Sequence, residues 1–213
     1  MKIAIIAGAT GLIGSQLLDL LLEDTYYSKV IAVTRKPITK SSARFENVVI
    51  NFDKMQEYTS QLKADDVFCC LGTTIKQAGS KEAFRKVDLS YPVSLATITK
   101  SMGAQHFYLV TALGSNEKSS IFYNRVKGEV ERMISEIGFE SLHVFRPSML
   151  LGPRIDERAG ENVGQGVMKV LDFVIPKKYK AIESIRVARA MLSISKAPGT
   201  GSFFHESGEL QSF

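Results

Sequence analysis

The chain has 213 residues, 45% of them hydrophobic and 23% charged, with a formal net charge of +5. That length suits one domain with a sizeable core, and no run approaches the ~20 apolar residues of a membrane-spanning helix. The 27 basic residues are spread along the chain with no cluster interleaved with aromatics, which argues against a nucleic-acid partner. The amino-terminal residues carry no signal-peptide cleavage pattern. Cys69 and Cys70 are adjacent, a spacing that rarely makes an unstrained disulfide. They read as reduced thiols in a reducing compartment, and a cytoplasmic location is expected. The three histidines are remote from both in sequence, so no metal site is expected.

In chain order, the first strand is expected over Lys2 to Ala7 and a helix from about Gly11 to Asp24, its apolar stripe formed by Leu17, Leu18, Leu21 and Leu22. Strands follow at Val30 to Thr34, stopped by Pro37, and at Val48 to Asn51. A short helix from about Lys54 to Leu62 leads to a fourth strand, Val67 to Leu71. A helix near Asp88, with Asp88 as its N-cap, runs to Met102. The fifth strand is His106 to Thr111, a long helix from about Ser119 to Ile137 ends at Gly138, and the sixth strand is Leu142 to Phe145. Beyond Arg146-Pro147 come a loop over 152–166, a helix from Ser184 to Ser195, a short strand from Ser202 to His205 and a loose tail. Strands alternating with helices give βαβ units. The fold class is α/β, a Rossmann-type doubly wound parallel sheet. One domain over 1–213 is expected, with a Rossmann core at 1–147 and a short substrate-side appendage at 148–213.

The first strand runs into Gly8-Ala-Thr-Gly11-Leu-Ile-Gly14 and then directly into a helix. Glycines there let the backbone approach a pyrophosphate, and the helix N-terminus offers free N–H groups and a positive dipole end. Gly8, Thr10, Gly11, Leu12, Ile13 and Gly14 are therefore candidate cofactor contacts. The second strand ends in Thr34-Arg35-Lys36 with no acid to hold a ribose 2′-hydroxyl. Arg35 and Lys36 suit a 2′-phosphate instead, so NADP(H) is expected in preference to NAD(H); the pair also fits two plain surface cations. Asp53 is placed either to reach the adenine edge or to cap a helix. Tyr123-Asn-Arg-Val-Lys127 sets a phenol and an ammonium on one helix face. A phenol can donate the proton that accompanies hydride transfer to a carbonyl, and a nearby ammonium stabilises the phenolate. A half-buried tyrosine beside an exposed lysine is the plain alternative.

The glycine loop, Arg35, the Tyr123/Lys127 pair and Arg146-Pro147 fall in the order that resembles the short-chain dehydrogenase/reductase superfamily. The G-x-x-G-x-x-G spacing and short carboxyl-terminal part resemble its atypical branch. Phe68-Cys-Cys-Leu-Gly-Thr-Thr74, Lys127-Gly-Glu-Val-Glu131 and Val144-Phe-Arg-Pro147 are similar to the Tat-interacting-protein group within it. The resemblance implies that Cys70, Leu71, Gly72 and Thr73 line the cofactor, that Pro147 borders the nicotinamide, that Lys127 holds its ribose and that Tyr123 is the acid/base. It also implies a serine after the fifth strand to orient the substrate carbonyl. In Val110-Thr-Ala-Leu-Gly-Ser115 the corresponding hydroxyl is Thr111, the next residue is Ala112, and Ser115 lies farther along the loop. The superfamily's asparagine that supports the lysine is matched by Asp88.

Three functions follow. The first is an NADPH-dependent oxidoreductase acting on a small carbonyl or hydroxyl compound through Tyr123, Lys127 and Thr111. The second is an NADPH-binding regulator of a protein partner with little catalysis. The third is a nucleotide-sugar epimerase, against which the short carboxyl-terminal part argues. The expected partners are the dinucleotide and a small molecule, with a homodimer through the Ser119–Ile137 helix as one assembly.

Overall fold

The apolar runs line up as one parallel sheet. In the computed structural model, which describes residues 2–152 and 179–213, the strands are β1 (Lys2–Ala7), β2 (Tyr27–Thr34), β3 (Phe45–Val49), β4 (Asp66–Cys69), β5 (His106–Val110), β6 (Ser141–Arg146) and β9 (Gly201–Glu206). Their order is β3-β2-β1-β4-β5-β6-β9, and every pairing is parallel. Two short strands, β7 (Leu150–Leu151) and β8 (Ile182–Glu183), pair separately. The central strands β1, β4, β5 and β6 are buried on both faces, so alternate residues of one strand enter different cores. Ile5 and Ala7 join the core under α4 (Tyr91–Ser101) and α5 (Phe122–Ser135). Ala4 and Ile6 join the core under α1 (Leu12–Glu23) and α6 (Ser184–Ser195). The expected doubly wound α/β fold is the fold observed.

Several local expectations are corrected. β2 begins three residues early, at Tyr27, which is fully buried and donates its hydroxyl to Asp66 at 2.6 Å. β3 ends at Val49, and Asn51 caps the following 3-10 segment (Phe52–Gln61) by accepting from the Asp53 N–H at 3.0 Å. Asp53 is therefore not the cap. Two short helices, α2 (Ile75–Ala78) and α3 (Lys81–Arg85), stand where no helix was expected. The tail folds as α7 (Ser207–Leu210) and buries Leu210 completely, so it is docked rather than loose. Of the loop expected over 152–166, residues 153–166 lie outside the described residues, Arg154 and Arg158 among them.

Asp88 is not an N-cap. It sits inside a π-turn (Lys86–Ser90) that joins α3 to α4. Pro92 explains the turn. It has no N–H to give the carbonyl of residue 88, and its ring would press on that carbonyl in a regular helix. The ladder slips by one residue, and the Tyr91 N–H reaches the Lys86 carbonyl. A helix was expected here, but the register change inside it was not.

Behind β9, the Nε2 of His143 lies 2.8 Å from the Pro198 carbonyl and its Nδ1 lies 3.0 Å from His205 Nε2. A carbonyl only accepts, so Nε2 carries the proton and Nδ1 receives one from His205. Burial first, and the neighbouring histidines after it, hold His143 down to about 4. Between the ordinary histidine value and that one, the unfolded chain binds a proton that the folded chain refuses. Stability is therefore expected to fall as pH drops through this window and to level off below it, by up to about 3 kcal/mol. Urea unfolding at pH 7, 5 and 4 should show a steeper acid loss in the wild type than in His143→Gln; equal slopes would remove His143 as the cause.

Candidate dinucleotide and active site

From β1 the chain winds outward to β2 and β3, then crosses back to β4 on the other side. This reversal makes the carboxyl ends of β1 and β4 the topological switch point, where open α/β sheets bind their ligands. Gly8 stands at that point with φ +84°, and a Cβ on it would lie 2.4 Å from the Cys70 carbonyl oxygen. A Cβ on Gly14 would lie 2.1 Å from the Gly8 oxygen, and the Gly11 N–H closes the turn on that same oxygen at 3.0 Å. The turn thus packs backbone against backbone, which only glycine permits. No side chain caps α1 at Gly11 and its first turn holds no acid. Its positive end is not neutralised locally, and Thr10 and Gly11 are exposed beside it. This cradle fits a pyrophosphate.

At the end of β2 the Thr34 hydroxyl donates to the Lys36 carbonyl at 2.8 Å, and the Asn47 amide donates to Thr34 Oγ1 at 2.9 Å. Arg35 and Lys36 leave this pinned turn exposed. Neither forms an ion pair among the described residues. Asp53 is exposed and accepts from Lys86 at 2.8 Å and from the Tyr91 hydroxyl at 2.7 Å. These two bonds hold its carboxyl below the usual range.

Past β4, the Cys70 N–H extends the ladder to the Ala7 carbonyl at 2.8 Å, and Leu71, Gly72 and Thr73 follow. Burial pushes the Cys69 thiol up to about 12 and raises Cys70 as well, so neither is a ready thiolate. Thr73 donates its N–H to Asp88 Oδ2 at 2.9 Å, while Asp88 Oδ1 lies 2.8 Å from Lys127 Nζ. Both side chains are buried, and a Cβ on Gly72 would meet both at 3.4 and 3.6 Å. Burial pushes the Asp88 carboxyl up, and the facing Asp88 raises Lys127 against the pull of its own burial. The π-turn therefore ties the lysine to the loop after β4.

Tyr123 is half-buried one turn before Lys127, whose Nζ is 6.0 Å from the Tyr123 ring centre. It lines a cavity of about 350 Å³ together with Ala112, Leu113, Pro147 and Met149. Pro147 is buried at the cavity wall. Thr111 does not line it. Its hydroxyl donates to Glu131 at 2.6 Å, and Glu131 takes Arg146 bidentately at 3.1 and 2.5 Å. Ser115 Oγ turns back to the Ala112 carbonyl at 2.7 Å. The structure thus brings Tyr123, Lys127 and Pro147 to one end of the sheet but directs the expected carbonyl-orienting hydroxyl elsewhere.

Sequence reasoning missed Glu131 and Gly128. Lys127 and Glu131 fall on the buried stripe of α5 with Val126, Val130 and Ile134, and charges on such a stripe signal buried partners. Gly128 is needed because a Cβ there would lie 2.1 Å from the Glu117 nitrogen, where the loop after β5 crosses the helix.

Fold, glycine turn and open helix end together are those of a Rossmann protein of the nicotinamide-dinucleotide class. The chain belongs to the NAD dependent epimerase/dehydratase family, whose model matches residues 4–162. It is similar to Protein HTATIP2 of Rattus norvegicus, with 37% identity over 204 residues covering 94% of this chain and 84% of the relative. It is similar to Protein FMP52, mitochondrial, of Eremothecium gossypii, with 34% identity over 157 residues covering 74% of this chain and 70% of the relative. Among solved structures it resembles the Bordetella bronchiseptica enzyme WbmH in complex with NAD+, at a TM-score of 0.73 and 16% identity, covering 97% of this chain and 76% of that one. The expected place in the short-chain dehydrogenase/reductase superfamily, near the Tat-interacting-protein group, therefore stands.

The expected cytoplasmic location does not, because the fungal relatives are named mitochondrial. Adjacent reduced thiols require only reducing surroundings, which do not single out one compartment. No described helix is long and apolar enough to cross a membrane. Among the described residues no cluster of histidine, cysteine or carboxylate side chains is placed to hold a metal ion.

Proposed function

We propose that this chain is an NADPH-dependent reductase of small carbonyl compounds. The observation that carries the reading is Tyr123 lining a cavity with Ala112, Leu113 and Pro147, with Lys127, one turn on, held by Asp88. When bound, the reduced nicotinamide would supply hydride to a carbonyl carbon, and Tyr123 would give its hydroxyl proton to the carbonyl oxygen. Residues 8–14 bind the pyrophosphate, Arg35 and Lys36 take the 2′-phosphate, and Asp53 stands toward the adenine. Cys70 to Thr73 and Pro147 wall the nicotinamide side. Lys127 holds the ribose and stabilises the tyrosinate, which regains its proton from solvent. Thr111 acts through the loop it anchors on Glu131, not by touching substrate.

Fluorescence titration is expected to show tighter binding of NADPH than of NADH. Arg35→Ala should remove about tenfold to 100-fold of the NADPH affinity and leave NADH nearly unchanged. Equal losses for both cofactors would refute the 2′-phosphate role. Tyr123→Phe should abolish turnover and keep cofactor binding. The commitment of the Thr111 hydroxyl to Glu131 favours a second reading, a cofactor-loaded regulator of a protein partner. Partner binding that is unchanged in Tyr123→Phe, without turnover in the wild type, would select it.

A further inference from the structure

The π-turn over Lys86–Ser90 is closed by a backbone bond from the Tyr91 N–H to the Lys86 carbonyl. The same two residues meet again through their side chains. Asp53, in the 3-10 segment after β3, accepts from Lys86 Nζ on Oδ2 at 2.8 Å and from the Tyr91 hydroxyl on Oδ1 at 2.7 Å. One carboxylate thus bridges the pair whose backbones make the i→i+5 bond. In a regular α-helix, residues five apart stand about 140° apart around the axis. A single group on one side bridges them more readily in the wider π register. Phe52, buried next to Asp53, sets its ring centre 5.3 Å from that of Tyr91 and so fixes the approach of the phenol.

In the middle of the turn, Asp88 holds Lys127 Nζ at 2.8 Å and the Thr73 N–H at 2.9 Å. Pro92 disfavours the regular register at this point, and the Asp53 bridge favours the π register from outside. An exposed ion pair contributes little to global stability. Asp53 and Lys86 are both about half exposed, at 47% and 50% of their side chains, so their effect is expected on local opening of the turn.

We infer that Asp53 is a positioning residue for Lys127: by stapling Lys86 to Tyr91 it keeps the π-turn in register, and so keeps Asp88 on the lysine and on the loop after β4. This gives Asp53 a role at the nicotinamide end of the site, beyond its place toward the adenine. The staple itself stands on the geometry alone, and only the affinity measurement below rests on the dinucleotide reading.

The test reads amide hydrogen exchange by NMR on the full chain, with the Cys70 amide, bonded to the Ala7 carbonyl in the sheet, as reference. Asp53→Ala should speed exchange of the Tyr91 amide, which makes the π bond, and of the Thr73 amide, which Asp88 holds, by about tenfold, and leave Cys70 unchanged. Lys86→Met and Tyr91→Phe remove one arm each and should give about threefold. Asp53→Asn keeps one acceptor oxygen and should fall between the wild type and Asp53→Ala. A second measurement separates the staple from a direct adenine contact. Asp53→Ala should weaken NADPH binding about threefold or more and leave 2′,5′-ADP, the half without nicotinamide, unchanged. In the Asp88→Leu/Lys127→Met background the same substitution should change neither affinity. Unchanged exchange at Tyr91 and Thr73 in Asp53→Ala would overturn the staple. Faster exchange with equal losses for NADPH and 2′,5′-ADP would overturn the link to Lys127. A wild type that binds neither nucleotide would sink the dinucleotide reading, and the exchange rates would still decide the staple.

Discussion

Gly8→Ala is expected to destabilise the chain by roughly 3 kcal/mol and to abolish dinucleotide binding. Two penalties combine there. A non-glycine residue at φ +84° is strained, by about 1 kcal/mol. The new methyl also lies 2.4 Å from a backbone oxygen of β4's end, which cannot move without opening the β1–β4 pairing. The penalties can be separated. Gly103 has φ +97° with nothing near its missing side chain, so Gly103→Ala reports the conformational cost alone. Gly14 has no positive φ but meets the Gly8 oxygen at 2.1 Å, so Gly14→Ala reports the contact alone. Thermal unfolding should rank Gly103→Ala mildest and Gly8→Ala worst. If Gly8→Ala costs no more than Gly103→Ala, the close approach does not limit this turn.

That turn was legible in the sequence because its chemistry is local. Three glycines between an apolar run and a helix state where a backbone must come close. The sheet was legible for a similar reason, since strands buried on both faces are apolar throughout. What escaped depends on contacts between distant segments. Tyr27 looks like a loop residue until Asp66, from a different strand, receives its hydroxyl. Thr111 looks like a substrate-facing hydroxyl until Glu131, twenty residues on, accepts its hydrogen bond. Asp88 looks like a cap because it opens a helical pattern, and only Pro92 warns that the pattern slips there. Single positions report their own conformational preferences well and the direction of their side chains poorly.

The second large effect concerns the buried pair. Asp88→Leu should leave the Lys127 ammonium uncompensated and cost about 3–5 kcal/mol, and Lys127→Met should cost a similar amount by stranding the carboxylate. The double variant Asp88→Leu/Lys127→Met should recover much of that loss, giving a coupling of about 2 kcal/mol or more in a double-mutant cycle. Additive losses would show that the pair does not act as a unit. The recovered double variant is also informative about function. It should fold and still fail to reduce any carbonyl, since the ammonium proposed to hold the ribose is gone. A double variant with wild-type turnover would reduce the pair to a packing element.

The π-turn that presents Asp88 makes this region sensitive to insertion and deletion in a way substitutions do not capture. A π-turn holds one residue more than the regular helix it interrupts. Deleting one residue between Lys86 and Ser90 would return the stretch to a continuous α-helix and rotate everything before it by about 100° relative to α4. Asp88 would then swing off the line to Lys127 while Pro92 met the carbonyl it now avoids. Related chains that keep this lysine-holding carboxylate are expected to keep the residue count between Thr73 and Pro92 as well.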